Sequence, residues 1–375
     1  MKIAVNTRLL QKGRMTGIEL FTFETMSRIA AQHPEHTFYY IFDRKNDPSF
    51  ITSDNIVPVV ACCKSRYRAF LLRFWFEFVL PGILKKIQPD IFISPDNMMS
   101  LSTKVPTFLV IHDLGFEHFP EHLPSGISAF YRKYLPRYAN KASRIATVSD
   151  YTKHDIVHHY NILPEKIDVV YNGADSQFRP YSEDEKVEIR EKYCDGSPYF
   201  LFVGTIHPRK NLSNQLMAYD IFRKNNAEIS CKFLIVGDRW IWDNALRNVY
   251  EGMKYRDDVV FAGRLSSAQL SGVIASAEAL LYVSLFEGFG IPILEALYAE
   301  TPVITANVSS MPEIASDAAI CVDPLDPEAI AGAIHAIVSD PVLKEKLIIA
   351  GRLRRKMFSW DKTAQRLWES IEKIL

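Results

Sequence analysis

Several things that would have settled a class are scarce or missing from this chain. Its 375 residues include only five cysteines: Cys62, Cys63, Cys194, Cys231 and Cys321. The number is odd, no C-x-x-C pair occurs, and neighbours such as Cys62 and Cys63 do not readily bridge each other. Reduced thiols in a cytosol are therefore expected, with no Cys/His metal cluster. No run of about 18 apolar residues exists, so no membrane-spanning segment is expected. The most lipophilic stretch, Phe70–Leu84, is interrupted by Arg73, Glu77 and Pro81. The opening MKIAVNTRLL has too short an apolar stretch for a signal peptide and leads straight into a strand. Net charge is missing too, with 44 basic residues against 44 acidic. Residues 1–175 hold 21 Lys/Arg against 17 Asp/Glu, and residues 176–375 hold 23 against 27. That mildly basic front half suits an anionic partner but is too weak to indicate nucleic acid.

Motif absences narrow the chemistry further. Without G-x-G-x-x-G or a phosphate-loop pattern, neither a dinucleotide cofactor nor ATP is indicated, and G-x-S-x-G and H-E-x-x-H are absent as well. No Asp-x-Asp occurs, the pair that often holds a divalent metal on a diphosphate. No metal is therefore expected, and departing negative charge would fall to side-chain cations and backbone N–H groups.

What is present is ordinary globular material, 48% apolar and 23% charged, enough for two cores at roughly 100–200 residues per domain. Short β-branched or aromatic runs alternate with helical patterns throughout. KIAVNT, TFYYIF, IVPVV, DIFIS, TFLVIHD, RIATVS and DVVYNG form one series. YFLFVGT, KFLIVGD, DVVFAG, ALLYVSL, PVITA and AICVD form a second. Continuous apolar strands between amphipathic helices indicate parallel sheets covered on both faces. Two series predict an α/β chain of two doubly wound, Rossmann-like domains facing a central cleft, at 1–175 and 176–359. The boundary falls after Asn172-Gly173, within Asp175–Ser197. Residues 360–375 form a further amphipathic helix with Trp360 and Trp368.

In such sheets ligands sit beyond the carboxyl ends of the strands, and the unusual residues cluster there. In LLYVSLFEGFGIPILEALYAE a strand ends near Leu285, the loop Glu287-Gly288-Phe289-Gly290 follows, and a helix begins near Pro292. The glycines let backbone N–H groups approach an anion at a helix start, and Glu295 lies about one turn into that helix. Two acceptors beside an anion site suit a nucleotide sugar, the plainer alternative being a solvated Glu287 and a dipole-complementing Glu295. In FVGTIHPRKNL, Arg209 and Lys210 precede a helix starting near Leu212. Cations there oppose the helix dipole, so an anion such as a diphosphate should offset them, unless the turn is simply exposed. His112-Asp113 end a strand of the first series, where His112 either meets a hydroxyl or phosphate or is a satisfied strand-end histidine. The loop Gly13-Arg14-Met15-Thr16-Gly17 bears glycine but matches no phosphate motif.

Together these segments resemble the family 4 retaining glycosyltransferases of the two-domain GT-B fold, over nearly the full length. VYNGAD, FVGTIHPRKNL, AGRLSSAQL, EGFGIPILE and TPVITANVSSMPEIA carry the resemblance. IHDLGFEHFPE and PRKN look most like the mannosyltransferase branch that builds bacterial surface polysaccharides. The resemblance implies that Glu287, Gly288, Phe289 and Gly290 meet the donor hexose and Glu295 the ribose. Arg209 and Lys210 would hold the diphosphate, His112 would lie near the hexose and acceptor, and Arg264 and Leu265 would lie near the base. Gly17 matches the family's N-terminal glycine loop, and the C-terminal helix would cross back onto the first domain. Thr205 and Ser309-Ser310 depart from the family pattern. The implied chemistry is retaining, metal-independent transfer of a hexose from GDP-mannose or a UDP-hexose, with no cofactor, to a glycan or lipid-linked acceptor. A sugar-nucleotide epimerase or hydrolase, or a non-catalytic nucleotide-sugar-binding subunit, are the competing readings. Residues 64–86 carry six basic residues and one acid among aromatics. They are expected either to touch an anionic membrane peripherally, at its cytoplasmic face, or to pack in the core.

Overall fold

The structure, a computed structural model, describes residues 1–375 apart from 14, 16, 62, 64–68 and 239–242. The chain divides into two compact units, Met1–Gly173 with Trp360–Leu375, and Ala174–Ser359. The break thus follows Gly173, two residues before the 175/176 boundary expected from sequence.

The first unit is built on seven parallel strands, β1 (Lys2–Asn6), β2 (Thr37–Phe42), β3 (Ile56–Val60), β4 (Ile91–Ser94), β5 (Thr107–Ile111), β6 (Arg144–Thr147) and β7 (Ile167–Val169), ordered β3-β2-β1-β4-β5-β6-β7. Central strands such as β5 (TFLVI) are buried at every position, because helices cover both faces. Pro58 sits in the edge strand β3, where a missing N–H costs no ladder bond on the open side. The helix Trp360–Glu372 belongs to this unit although it ends the chain. It packs on the first helix, Gly17–Gln32. Asp361 accepts from Arg28 at 2.7 Å, and Trp368 stacks on His33 with ring centres 4.0 Å apart.

The second unit holds six parallel strands, β8 (Tyr199–Val203), β9 (Lys232–Val236), β10 (Val259–Gly263), β11 (Ala279–Tyr282), β12 (Val303–Ala306) and β13 (Ala319–Val322), ordered β10-β9-β8-β11-β12-β13. Both sheets therefore reverse their winding once, between β1 and β4 and between β8 and β11. Loops diverge at such a point and leave a crevice beyond the strand ends. All thirteen runs read as strands from the sequence are strands here. One end differs: β11 stops at Tyr282, not near Leu285. The chain turns away so that the Leu285 N–H meets the Arg209 carbonyl at 2.8 Å instead of continuing the ladder.

Candidate active site

The switch point of the second sheet brings two loops together. After β8 the chain passes Gly204 and forms a single 3-10 turn, Pro208–Lys210. It then takes a left-handed residue, Asn211 (φ +57°), before the helix Leu212–Asn225. Asn211 is buried, and its amide donates to the carbonyls of Val283 at 3.0 Å and Pro324 at 2.7 Å, tying the loop after β8 to those after β11 and β13. Gln215 holds the Lys210 carbonyl at 2.8 Å. These bonds hold the turn in place, as an electrostatic site requires.

From that turn both cations reach one carboxylate. Lys210 Nζ stands 2.7 Å from Glu287 Oε1 and donates to the Tyr282 hydroxyl at 2.8 Å. Arg209 Nη1 stands 3.3 Å from Glu287 Oε2 and 3.0 Å from the Phe286 carbonyl. The expectation that an anion must offset Arg209 and Lys210 is thus met in part within the protein, by Glu287. Burial alone would raise the Glu287 carboxyl. The charges of Lys210 and Arg209, with hydrogen bonds from Lys210 and Ser284, hold it below the ordinary carboxylate range.

The rest of the glycine loop is fixed by the two serines that depart from the family pattern. Ser309 adopts φ +54° and accepts the Glu287 N–H at 3.0 Å, while Ser310 donates to the Glu287 and Phe289 carbonyls. Phe289 is buried edge-on against Phe358, ring centres 5.9 Å apart. Gly290 takes φ +100° and enters the helix Ile291–Ala299; a Cβ there would press on Ile293 and on the Tyr282 ring, 3.1 and 3.3 Å away. Glu295 lies on that helix, buried, and among the described residues it makes no ion pair. Burial, then the neighbouring Asp175 charge, pushes its carboxyl up to about 8. Two carboxyls on one loop and helix are therefore in opposite states near neutrality, Glu287 ionised and Glu295 protonated. Such splitting is a mark of functional sites.

Not every expected residue joins this cluster. Arg264 and Leu265 follow β10, the edge strand two places from β8; Arg264 pairs with Asp238 at 3.3 Å instead. Gly17 begins the first helix, while Arg14 and Thr16 of its loop lie outside the described residues.

His112, at the end of β5, belongs to the first unit. Its Nε2 lies 2.9 Å from the Pro95 carbonyl, which can only accept, so the proton sits on Nε2 and Nδ1 is left as an acceptor. Burial, against the pull of the Pro95 carbonyl, lowers its pKa, so the ring is neutral at physiological pH. Sequence reading passed over the residues at the first unit's own switch point. Asn6 bridges Ser94 and Asp96, and Arg8 pairs with Asp96 at 2.6 Å, both side chains buried. Their one signal was position, each standing at or just after a strand end in a doubly wound sheet. Tyr282 and Asn211 were missed in the same way.

Residues 184–354 match the family described as glycosyl transferases group 1, and residues 15–178 match glycosyltransferase family 4. The chain belongs to the glycosyltransferases. Among the relatives of this glycosyltransferase, the O-antigen chain mannosyltransferase B of Escherichia coli is 29% identical over 297 residues, covering 79% of this chain and 74% of that one. Among solved structures, WaaG, a glycosyltransferase involved in lipopolysaccharide biosynthesis, superposes with a TM-score of 0.78 at 17% identity over 97% of each chain. Alr3699/HepE of Anabaena, solved in complex with UDP-glucose, does so with a TM-score of 0.76 at 16% identity over the whole of both. The fold of this glycosyltransferase is accordingly that of the GT-B enzymes, two parallel-sheet α/β domains.

Proposed function

We propose that this glycosyltransferase moves a hexose from a nucleoside diphosphate sugar to a glycan or lipid-linked acceptor of a bacterial surface polysaccharide, with retention at the anomeric carbon and without a required metal. The observation that carries the reading is the convergence of Lys210 and Arg209 on Glu287 at a helix start on the β8/β11 switch point. A diphosphate entering there competes for the same ammonium and guanidinium, Arg209 through its planar fork and Lys210 as a point charge. Glu287, released in part from its cations, turns acceptor for the hexose hydroxyls, and Glu295 serves the ribose. Mannose is the first candidate because of the relative from Escherichia coli; the UDP-glucose bound to the Anabaena protein keeps UDP-hexoses in the test.

Among the described residues Glu287 is the nearest candidate for a covalent nucleophile, and we assign it to binding the hexose hydroxyls instead. Front-face substitution follows. The bond from the anomeric carbon to the phosphate oxygen breaks, and its electron pair leaves with the diphosphate. The acceptor hydroxyl oxygen bonds to the same face, and its proton passes to the departing phosphate oxygen. Lys210 and Arg209 stabilise the charge that develops on that leaving group. The neutral His112 ring of the first unit, with Nδ1 as acceptor, is suited to orient a hydroxyl of the acceptor.

Membrane contact is the remaining part of the reading. Of residues 64–86, positions 64–68 lie outside the described residues, including Arg66, Tyr67 and Arg68. The others form helices Ala69–Phe74 and Leu80–Ile87 joined by a π turn, Trp75–Val79. Trp75 and Phe76 are in the core, whereas Phe70, Phe74 and Phe78 are exposed beside Arg73, Lys85 and Lys86. The expectation of core packing holds for one face of this segment, and the exposed aromatics and cations of the other support the proposed contact with an anionic bilayer surface.

Thermal unfolding against GDP-mannose, UDP-glucose, UDP-galactose and UDP-N-acetylglucosamine tests the donor site. One sugar nucleotide should raise the melting temperature by mass action, and Lys210→Ala and Glu295→Ala should each remove the rise. Lys210→Ala should also cut turnover by roughly 10²–10³-fold, the loss typical of one transition-state charge partner. Mutants that respond to the donor as the parent does would place the nucleotide elsewhere.

A further inference from the structure

Two histidines and an aspartate of the first unit meet at its surface, and nothing in the donor-site reading uses them. The helix Asp150–Tyr160 (DYTKHDIVHHY) sets Asp155 and His159 four residues apart, on one face. His118 reaches them from the short helix Gly115–His118 that follows β5. Its Nε2 lies 2.9 Å from each oxygen of Asp155, and His159 Nε2 lies 3.3 Å from Asp155 Oδ1. One donor atom from each of the three falls within 4.8 Å of the others. An imidazole N–H satisfies one carboxylate oxygen. A charged imidazole shared by both oxygens gives such contacts, and so does a cation shared by all three groups. Donors about 2.0–2.2 Å from a tetrahedral zinc ion stand roughly 3.3 Å apart, the separation of His159 Nε2 from Asp155 Oδ1, and His118 at 2.9 Å would move outward slightly to admit the ion. The donor chemistry, two imidazoles and one carboxylate, selects zinc and its first-row neighbours over magnesium or calcium. Asp155 is buried while the histidine rings keep about a third of their surface in solvent, so an ion can enter from outside.

We propose that His118, Asp155 and His159 form a zinc site whose fourth position is taken by water. The ion braces the first unit. Thr152, three residues before Asp155, donates to the carbonyl of His112 at 3.4 Å. The site therefore ties the helix that supports His112 to the segment that follows His112. It stands independently of the donor assignment, because the ligands, the ion and the readout are all separate from sugar transfer.

The test is titration of the full-length, chelator-stripped protein with ZnCl₂, followed calorimetrically and by thermal unfolding, with MgCl₂ as control. One zinc ion per chain should bind and raise the melting temperature, and magnesium should not. Asp155→Asn, which keeps the side chain's size, and His118→Gln with His159→Gln should weaken zinc by more than the roughly 10–100-fold that loss of an outer-sphere partner costs. Circular dichroism should show that these variants are folded. Should they not fold, Co²⁺ decides: visible bands of a four-coordinate imidazole site that persist in His33→Gln with His36→Gln support the assignment, and their absence there overturns it. Failure of the parent to bind zinc overturns it as well. So does equal binding by parent and folded variants, which would move the ion to another cluster such as His33, Glu35 and His36.

Discussion

Glu287 and Glu295 stand eight positions apart and titrate in opposite directions, because one is buried with two cations and the other without any. The consequence for stability follows from linkage. Glu295 keeps its proton in the folded chain between its ordinary value of 4.5 and about 8, a range in which the unfolded chain has lost it. Its contribution is complete below the unfolded value and is lost as pH rises toward 8. Glu287, with a lowered pKa, contributes in the opposite sense: its part is present at neutral pH and disappears in acid. We predict that Glu295→Gln, which mimics the protonated acid, flattens the fall in stability between pH 5 and 8. Denaturant unfolding at a series of pH values measures it; a slope unchanged from the parent would show that Glu295 does not hold the proton. Ser309 and Ser310 illustrate the same scale differently. Their hydroxyls fix both the N–H and the carbonyl of Glu287.

The helical run containing Trp75 explains how one segment satisfies two demands. Aromatic residues lie on both its inner and outer faces, yet only one face finds the core. Trp75 and Phe76 are fully buried, while Phe70 and Phe78 keep 76% and 65% of their surface exposed. Phe74 stacks on Phe78 at 5.7 Å, so the outer rings form a ridge. A basic residue near an anionic bilayer contributes about 1 kcal/mol, and inserted aromatic rings add apolar burial. Replacing Phe70, Phe74 and Phe78 by serine should therefore release the protein from phosphatidylserine-containing vesicles in a sedimentation assay. Changing Arg73, Lys85 and Lys86 to glutamine should make the remaining binding weaker and less salt-sensitive. Undiminished partitioning of both variants would confine the ridge to some other role.

Across the whole molecule, the last helix makes the chain's ends cooperate. Trp360, Leu367, Trp368 and Ile371 are buried in the first unit, where Trp360 meets Phe21 and Trp368 meets His33 of the first helix. Each such side chain is worth about 1.5–3 kcal/mol when buried. Its outer edge is fastened by Lys373 to Asp168 at 2.8 Å and by Thr363 to the Tyr171 carbonyl at 2.7 Å. A chain ending at Ser359 should lose several kcal/mol from the first unit while leaving the sheet that carries Lys210 in place. Hydrogen exchange should then accelerate in Gly17–Gln32 and hardly change in β8 and β11; uniform behaviour across both units would contradict the division.

Local pattern was sufficient for the strands. Each is a short apolar run bounded by turn residues, and burial on both faces leaves no other use for such a run. The glycine loop and the Arg209-Lys210 turn were legible for a related reason, since strand ends in a doubly wound sheet are where exposed polar chemistry collects. What pattern could not supply was partnership between distant positions. That Glu287 neutralises the two cations, that Asn211 bonds across three loops, that Arg8 finds Asp96, and that His118 meets Asp155 all depend on which strands become neighbours. Strand order is decided by the packing of helices onto the completed sheet, a long-range balance that no window of sequence contains.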